Sequence, residues 1–398
     1  MNQPLRKFAQ SFLCRQFSTS RATLVRNVAD LPPKAFIEVG SMGRYANHLT
    51  PKRGKEVIQR VGSTYGGTYS LAWSTIPRSI LFVAKRGDPA VLPVVKKLLR
   101  HIRDTRPHLN IVLPQDLFQQ VCADREFVDD NYLLPLRPYQ ISLLSSRIDF
   151  VVALGGDGTL LRVSSMFDDG AVPPILGLDM GTLGFMMPIS ISQFPSALND
   201  VMESRAAMLL RMRLKCVVSD GSLPNAQSPH ASTVHAMNEV SLHRGIEPHL
   251  IKIKTFVDGQ FLTEVVADGV VLSTPTGSTA YSLSAGGPIV HPSVQSLILS
   301  AVAPRSLSFR NVCLPSDVVV QMRLSEKSRG FSQLSLDGHH IRTLRPGHSL
   351  SISMSPYPVP CISKPILRLP SEEDGSKEKD DWILDIQRLL KFNTGIEK

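Results

Sequence analysis

The stretch FVVALGGDGTLL, Phe150 to Leu161, sets one carboxylate, Asp157, among glycines directly after an apolar run. A strand that ends here and hands over to a helix near Thr159 is expected, and parallel sheets commonly hold ligands at such turns. Gly155, Gly156 and Gly158 let the backbone turn sharply and approach a ligand, while the free N–H groups of the following helix favour phosphate. The spacing is not G-x-G-x-x-G, because Leu161 stands where the third glycine belongs, and no Gly-Lys-Ser/Thr follows as in a P-loop. A carboxylate among phosphates is repelled unless it binds Mg²⁺ or takes a proton from an attacking hydroxyl; both are kinase roles. Taken alone, the pentapeptide reads equally well as a plain Asp-Gly turn.

Outward from that turn, the chain alternates strand and helix. SILFVAK (Ser79 to Lys85) reads as a buried strand, followed by Asp88 as helix N-cap and Pro89 at the first helical position. Val91, Val94, Val95, Leu98, Leu99 and Ile102 then fall on one helical face. LNIVL (Leu109 to Leu113), IDFVVAL (Ile148 to Leu154) and the run centred on Ile175 to Leu178 supply further strands. This repetition predicts a parallel, Rossmann-like α/β sheet over residues 79–190, with residues 30–78 as an irregular lead-in.

Beyond about residue 210 the texture changes to apolar-polar alternation, as in LIKIKTFVDGQFLTEVVADGVVLST with its Asp258-Gly259 turn, and again from Ser316 to Ser355. Residues 191–363 are therefore expected to form a β-rich, sandwich-like domain, mostly antiparallel, with a polar loop from Val218 to Thr233. Residues 364–398 read as a charged linker and a helix that docks back on the body through Trp382, Ile383, Ile386, Leu389 and Leu390.

The 398 residues, 42% of them hydrophobic, suffice for two domains of ordinary size. The formal charge is +10, and half of it lies in residues 1–29, where Arg6, Lys7, Arg15, Arg21 and Arg26 stand without any Asp or Glu. An Arg- and Ser-rich, acid-free leader has the marks of a mitochondrial transit peptide, with CRQFSTS suggesting a cut after Phe17 and a destination in the matrix. The remainder shows no basic stripe interleaved with aromatics, so nucleic acid is not an expected partner. No uncharged apolar run approaches the roughly 18 to 20 residues that span a bilayer. The five cysteines are scattered without a C-x-x-C pair, which supports neither a zinc site nor a disulfide framework.

Two further blocks carry chemistry. In ADGVVLSTPTGSTAYSLSAGGPIVHP, Ala267 to Pro292, the hydroxyls of Ser273, Thr274, Thr276, Ser278, Thr279, Tyr281, Ser282 and Ser284 crowd between glycines, which suits a sugar or nucleotide. In HAMNEVSLHRG, His235 to Gly245, Asn238 and Glu239 stand side by side; alone such a pair is more often a turn or strand edge. His243, His291, His339 and His340 lack metal-ligand spacing.

Together the three blocks resemble the NAD kinase family, whose pattern is a G-G-D-G loop, an Asn-Glu or Asn-Asp pair, and T-P-T-G-S-T-A-Y ahead of a double glycine. The likeness runs from about Ser79 through Ser355. MGTLGFMMPI (Met180 to Ile189), APRSLSFR (Ala303 to Arg310) and the terminal DDWILDIQRLLKFN are similar to the fungal mitochondrial NADH kinases, and Arg305 favours that branch over relatives with His there.

The resemblance implies the NAD kinase / diacylglycerol kinase-like fold, with the site between its two domains. It implies transfer of the γ-phosphate of ATP to the adenosine-ribose 2′-hydroxyl of NADH or NAD⁺, supplying mitochondrial NADPH. Asp157 would then be the general base, with Gly155, Gly156, Gly158 and Thr159 shaping the phosphate path. Asn238 and Glu239 would hold the adenosine side, and Asp268 would face the nicotinamide amide. Thr274, Ser278, Thr279, Ala280 and Tyr281 would line the diphosphate and adenosine pocket. Mg²⁺ is expected with ATP, although no spaced set of carboxylates identifies its ligands. Partners are small-molecule nucleotides, and a homo-oligomer is a family expectation. A lipid or sugar kinase sharing the glycine loop is the alternative enzyme, and a dinucleotide-sensing or nucleic-acid-binding protein the non-enzymatic one.

Overall fold

A computed structural model describes residues 27–35, 37–38, 68–127, 132–167, 171–181, 184–219, 233–246, 248–363 and 381–390. Residues 1–26 of the proposed leader, with its cleavage point, the greater part of the 218–233 loop and the 371–380 part of the charged stretch lie outside these residues; Val28, at the leader's expected end, is already buried in a short 3-10 helix, Val28–Asp30.

Five strands, Ser79–Ala84, Asn110–Pro114, Leu133–Leu136, Phe150–Gly155 and Ile175–Asp179, pair in parallel. Numbered along the chain, they lie in the order 3-2-1-4-5, the arrangement of a doubly wound sheet. Both faces are covered, so the strands are almost continuously apolar; every residue of Ser79–Ala84 and of Phe150–Gly155 is buried. The helix Val91–Thr105 lays Val91, Val95, Leu98, Leu99 and Ile102 on one face of the sheet. Each such side chain, fully buried, contributes about 1.5–3 kcal/mol. The helix starts at Val91, later than Asp88 and Pro89 suggest. Asp88 instead closes a preceding turn, its carboxylate accepting from Ala90 N at 3.0 Å, and Ala90 takes the N-cap position without a side-chain bond.

The sheet grows to nine strands, three of them from outside 79–190. Ile189–Ser190 pairs with Ile175–Asp179, and Val359–Ser363 joins on the same side, parallel to it. Ala207–Arg211 then runs antiparallel to Val359–Ser363, and Thr68–Ser70 closes that edge. The sheets therefore do not divide where the texture changes: two strands from 191–363 complete the first sheet, and the lead-in supplies an edge strand. The lead-in is tied down further by Asp149, whose buried carboxylate accepts from Ala35, Arg78 and Ser79 backbone N–H groups at 2.5, 2.6 and 2.8 Å.

The remaining strands form two six-stranded antiparallel sheets. One runs Thr233–Ala236, Leu214–Ser219, Ser349–Met354, Val320–Leu324, Ile251–Val257, Gln260–Ala267. The other runs Val312–Pro315, Ser296–Val302, Gly269–Ser273, Glu239–His243, Ser332–Leu336, His339–Leu344. Their inward residues, among them Leu214, Ile253, Ile352, Leu272, Leu299 and Leu334, share one core, so the pair is a sandwich. Asp258-Gly259 forms the expected hairpin turn with φ of 49° and 80°, and Asp337-Gly338 repeats it with 48° and 78°. At the C-terminus, helix Asp381–Leu390 rests Trp382 edge-on against His291, 4.7 Å between ring centroids, and buries Ile386. Ile383, expected on the docked side, is 49% exposed, and the side chain of Leu389 lies outside the described residues.

Candidate active site

Strand Phe150–Gly155 passes through Gly156, the N-cap, into helix Asp157–Ser165, so the helix opens two residues before Thr159. Asp157 thus stands in the first turn, where the helix dipole favours a negative charge. Its carboxylate is not spent on capping its own helix. Oδ2 accepts from Phe185 N and Oδ1 from Met186 N, both at 3.1 Å. A side chain at Gly184 would overlap that carboxylate, which explains a glycine there. At Gly155, a Cβ would overlap Thr159 Oγ1 and come within 3.0 Å of Lys85 Cβ, so close packing demands glycine. Gly158 is exposed and a Cβ there would meet nothing, so packing places no such demand on it. Thr159 is buried, its N–H bonded to Gly156 O at 2.8 Å.

Burial pushes the Asp157 carboxyl above the ordinary carboxylate range. The Met186 and Phe185 N–H groups and the charge of Arg211 pull it back, and Asp179 pushes it up. Arg211 is the last residue of strand Ala207–Arg211, 7% exposed, where the chain crosses from the nine-stranded sheet into the sandwich. Its Nη2 donates to Phe185 O at 3.3 Å, in the loop that grips Asp157, and its Nη1 donates to Thr276 Oγ1 at 3.5 Å. Arg211 therefore links the glycine turn to the T-P-T-G segment.

That segment lies directly on the Asn238-Glu239 pair. Thr274 N donates to Asn238 O at 2.8 Å and Thr274 Oγ1 to Met237 O at 2.6 Å. A Cβ at Gly277 would overlap the Asn238 backbone, so only glycine permits the approach. The pair is held from the other side by Asp337, at the left-handed position of its hairpin turn. Asp337 Oδ2 accepts from Met237 N at 2.8 Å, and Oδ1 accepts from Asn238 N and Glu239 N at 2.7 and 3.1 Å. The backbone is thereby satisfied, yet among the described residues Asn238 Oδ1 and Glu239 Oε2 are buried without a hydrogen-bond partner. Buried polar atoms in that state cost free energy and mark places where a ligand completes the set. Burial first, and the Asp337 charge second, push the Glu239 carboxyl up to about 7.

The other expected residues divide between framework and rim. Ser278 Oγ donates to Pro275 O at 2.6 Å and accepts from Val290 N at 3.0 Å, and Thr279 Oγ1 donates to Thr276 O at 3.3 Å. These hydroxyls fold the segment onto itself. Ala280 and Tyr281 follow at its half-exposed end. The Tyr281 hydroxyl is pushed above its usual range by burial, then by the charges of Asp268 and Glu239. Asp268 is itself ion-paired with Arg244, Nε to Oδ1 2.6 Å.

Comparison with known proteins meets this geometry. Residues 80–206 match the family model described as the ATP-NAD kinase N-terminal domain, and residues 237–364 the ATP-NAD kinase C-terminal domain. The mitochondrial NADH kinase pos5 of Schizosaccharomyces pombe is 39% identical over 324 residues, 81% of this chain and 77% of that protein. The chain belongs to the NAD kinase family. The mitochondrial NADH kinase POS5 of Saccharomyces cerevisiae is 33% identical over 350 residues, covering 82% of this chain and 83% of its own. Among solved structures, yeast NADH kinase complexed with NADH superposes with a TM-score of 0.75 at 30% identity, covering 93% of this chain and 97% of that one. An NAD kinase from Archaeoglobus fulgidus in complex with ATP shares the fold, with a TM-score of 0.51 at 21% identity over 72% of this chain and 93% of its own.

Within this NAD kinase chain, three side chains at the site escaped sequence reading. Arg211 sits in MLLRMRL, where a basic residue in an apolar run hints at a buried charge. Asp337 is indistinguishable from any Asp-Gly hairpin turn. Asp179, which ends strand Ile175–Asp179 beside Gly155 and has a buried Oδ1 without a hydrogen-bond partner among the described residues, reads as ordinary strand-end chemistry.

Proposed function

We propose that this chain transfers the γ-phosphate of ATP to the 2′-hydroxyl of the adenosine ribose of NADH or NAD⁺. The O2′–P bond forms, the bond from the γ-phosphorus to its bridging oxygen breaks, ADP leaves, and the hydroxyl proton passes to Asp157. The observation that carries the reading is Asp157 itself, a half-buried carboxylate gripped by two backbone N–H groups at a helix N-terminus, in a loop that Arg211 bonds to Thr276 of the T-P-T-G segment. Phosphoryl transfer asks a protein mainly for positioning and charge stabilisation. Asp157 is positioned by its grip, and its raised pKa makes it a better proton acceptor than an exposed carboxylate. The buried oxygens of Asn238 and Glu239 accept hydrogen bonds from the acceptor nucleoside. Tyr281 packs beside it, and Asp268 with Arg244 forms the far rim.

Exposed Gly158 leaves the helix N-terminus open to a triphosphate. Mg²⁺ arriving with ATP needs only one or two protein carboxylates beside phosphate oxygens and water. Asp179, with its unpartnered buried oxygen, fits that need, and the ion would offset charge on the transferring phosphoryl group. No group of three or more metal-binding side chains occurs among the described residues. A lipid or sugar kinase would leave the Asn238-Glu239 and T-P-T-G blocks without a task. Relatives named as mitochondrial and the acid-free leader support a mitochondrial location, and we assign the matrix. Assembly into a homo-oligomer through the β-rich half belongs to the same reading.

The test is to mix the purified protein with Mg-ATP and either NADH or NAD⁺ and to measure NADPH and NADP⁺ separately. Formation of either, with one ADP per product, supports the reading; neither product refutes it. The ratio of the two rates gives the preference, which we assign to NADH.

A further inference from the structure

Strands Ala207–Arg211 and Leu214–Ser219 are joined by Met212 and Arg213, where the chain first crosses from the nine-stranded sheet into the sandwich. It crosses back between strands Ser349–Met354 and Val359–Ser363. Arg213 is among the largest fully buried side chains of the described residues, with 0% exposure. Its backbone is held on the sandwich side, its O accepting from Ser355 N at 2.8 Å, while its side chain reaches back to the α/β half.

Arg213 Nη1 donates to Ser164 O and to Phe167 O, both at 3.3 Å, at the carboxyl end of helix Asp157–Ser165. The last carbonyls of a helix lack partners within it, and the helix dipole favours a cation there. Nε donates to Tyr357 O at 2.7 Å, in the second crossing. The Tyr357 ring in turn stands edge-on to His235, 6.2 Å between centroids, on strand Thr233–Ala236, which leads into Asn238 and Glu239. Burial pushes the Asp337 carboxyl up, and the Met237, Asn238 and Glu239 N–H groups and then the charge of Arg213 draw it down. A buried guanidinium is costly, and an apolar side chain of similar volume often takes such a place without loss of stability. Here the charge is kept and spans three segments. Helix Asp157–Ser165 is thereby held at both ends from one short stretch of chain: Arg211 bonds Phe185 O in the loop that grips Asp157, and Arg213 bonds the other end.

We infer that Arg213 is a positioning residue for the phosphoryl transfer: by tying the carboxyl end of the helix that Asp157 opens to both crossings, it fixes Asp157 relative to the strands that carry Asn238 and Glu239. The inference rests on the kinase reading above. Displacing reacting groups by about 1 Å costs on the order of 10²-fold in rate, whereas the residues that touch each nucleotide are unchanged, so the effect falls on kcat rather than on KM.

Arg213→Met keeps an apolar stem and removes every donor. It is expected to lower kcat about ten-fold or more, with the KM values for Mg-ATP and NADH within about two-fold of wild type. Arg213→Lys keeps the charge, but one ammonium does not reproduce the planar fork of donors, so its kcat is expected between the two, about three-fold or more below wild type. Rates are read well below the thermal midpoint of each variant, so that unfolded protein does not enter kcat. A merely structural Arg213 gives a lower midpoint with wild-type kcat; that result, or a raised KM for NADH at unchanged kcat, overturns the inference. Should Arg213→Met fail to fold, Arg213→Lys decides alone: a lowered kcat with both KM values kept supports the inference, and wild-type kcat overturns it. If unmodified protein makes no NADPH or NADP⁺ from ATP, the kinase reading fails; if it does and the Arg213 variants turn over as wild type, only the positioning role fails.

Discussion

Replacing Asp157 by Asn separates the chemistry of this carboxylate from its place in the fold. As an acid-base group, Asp157 is worth roughly 10²-fold or more in kcat, the usual scale of a lost general base. It also has a structural share. Both of its oxygens accept backbone N–H groups, from Phe185 and Met186. An amide has one oxygen only, so in Asp157→Asn an NH₂ group faces one of those donors, and a donor in a half-buried loop loses its partner. That costs about 1–3 kcal/mol, against which stands the relief of a carboxylate that burial already disfavours as an anion. The net expectation is a loss of about 1 kcal/mol or less in stability, so the variant folds, and a turnover lower by two orders of magnitude. The assay combines initial rates of NADPH formation at saturating Mg-ATP and NADH, NADH affinity by its fluorescence, and thermal unfolding. Unchanged turnover in a folded variant removes Asp157 from the mechanism. Equal loss of turnover and of NADH binding shows instead that the loop has moved, and the reasoning from a fixed scaffold fails.

Other expectations use the same observations. Arg211→Met removes the cation that draws the Asp157 pKa down, so the acid limb of the kcat profile should move to higher pH, with partial restoration by Arg211→Lys; a profile that does not move refutes the coupling. Glu239 binds a proton more tightly folded than unfolded, about 7 against 4.5, so its burden on stability is absent below about pH 4.5 and grows as pH rises through 7. Glu239→Gln should therefore raise stability at pH 8 by up to ~3 kcal/mol while weakening NADH binding, read by denaturant titration at pH 5 and pH 8; equal gains at both values refute the assignment. Asp337→Ala leaves three backbone N–H groups without their acceptor and should cost at least about 2 kcal/mol, with a raised KM for NADH and little change in that for ATP. Gly184→Ala places a methyl group on the Asp157 carboxylate and should lower kcat with both KM values nearly kept, a split that steady-state kinetics resolves.

What was legible in the chain is what depends on near neighbours. The run before Gly155, the helical face of Val91 to Ile102 and the Asp258-Gly259 turn are set by local period and turn chemistry, and each lies where the pattern puts it. What was not legible depends on distant segments. Val359–Ser363 and Ala207–Arg211 lie within the 191–363 stretch expected to form the β-rich domain, yet they extend the parallel sheet, Val359–Ser363 beside Ile175–Asp179 and Ala207–Arg211 antiparallel to Val359–Ser363. Asp337 meets Asn238 across 99 residues and Phe185 meets Asp157 across 28, so neither contact leaves a spacing that a single sequence displays. The same passage explains the chemistry at Asp157. The carboxylate stands on the α/β half, its backbone grip comes from the 184–186 loop, and its counter-charge comes from Arg211, at the crossing into the sandwich that carries Asn238 and Glu239. A proton acceptor assembled in this way acquires its ionisation behaviour only when both halves are in place, so the fold that brings the acceptor nucleoside to Asp157 also tunes Asp157 to receive its proton.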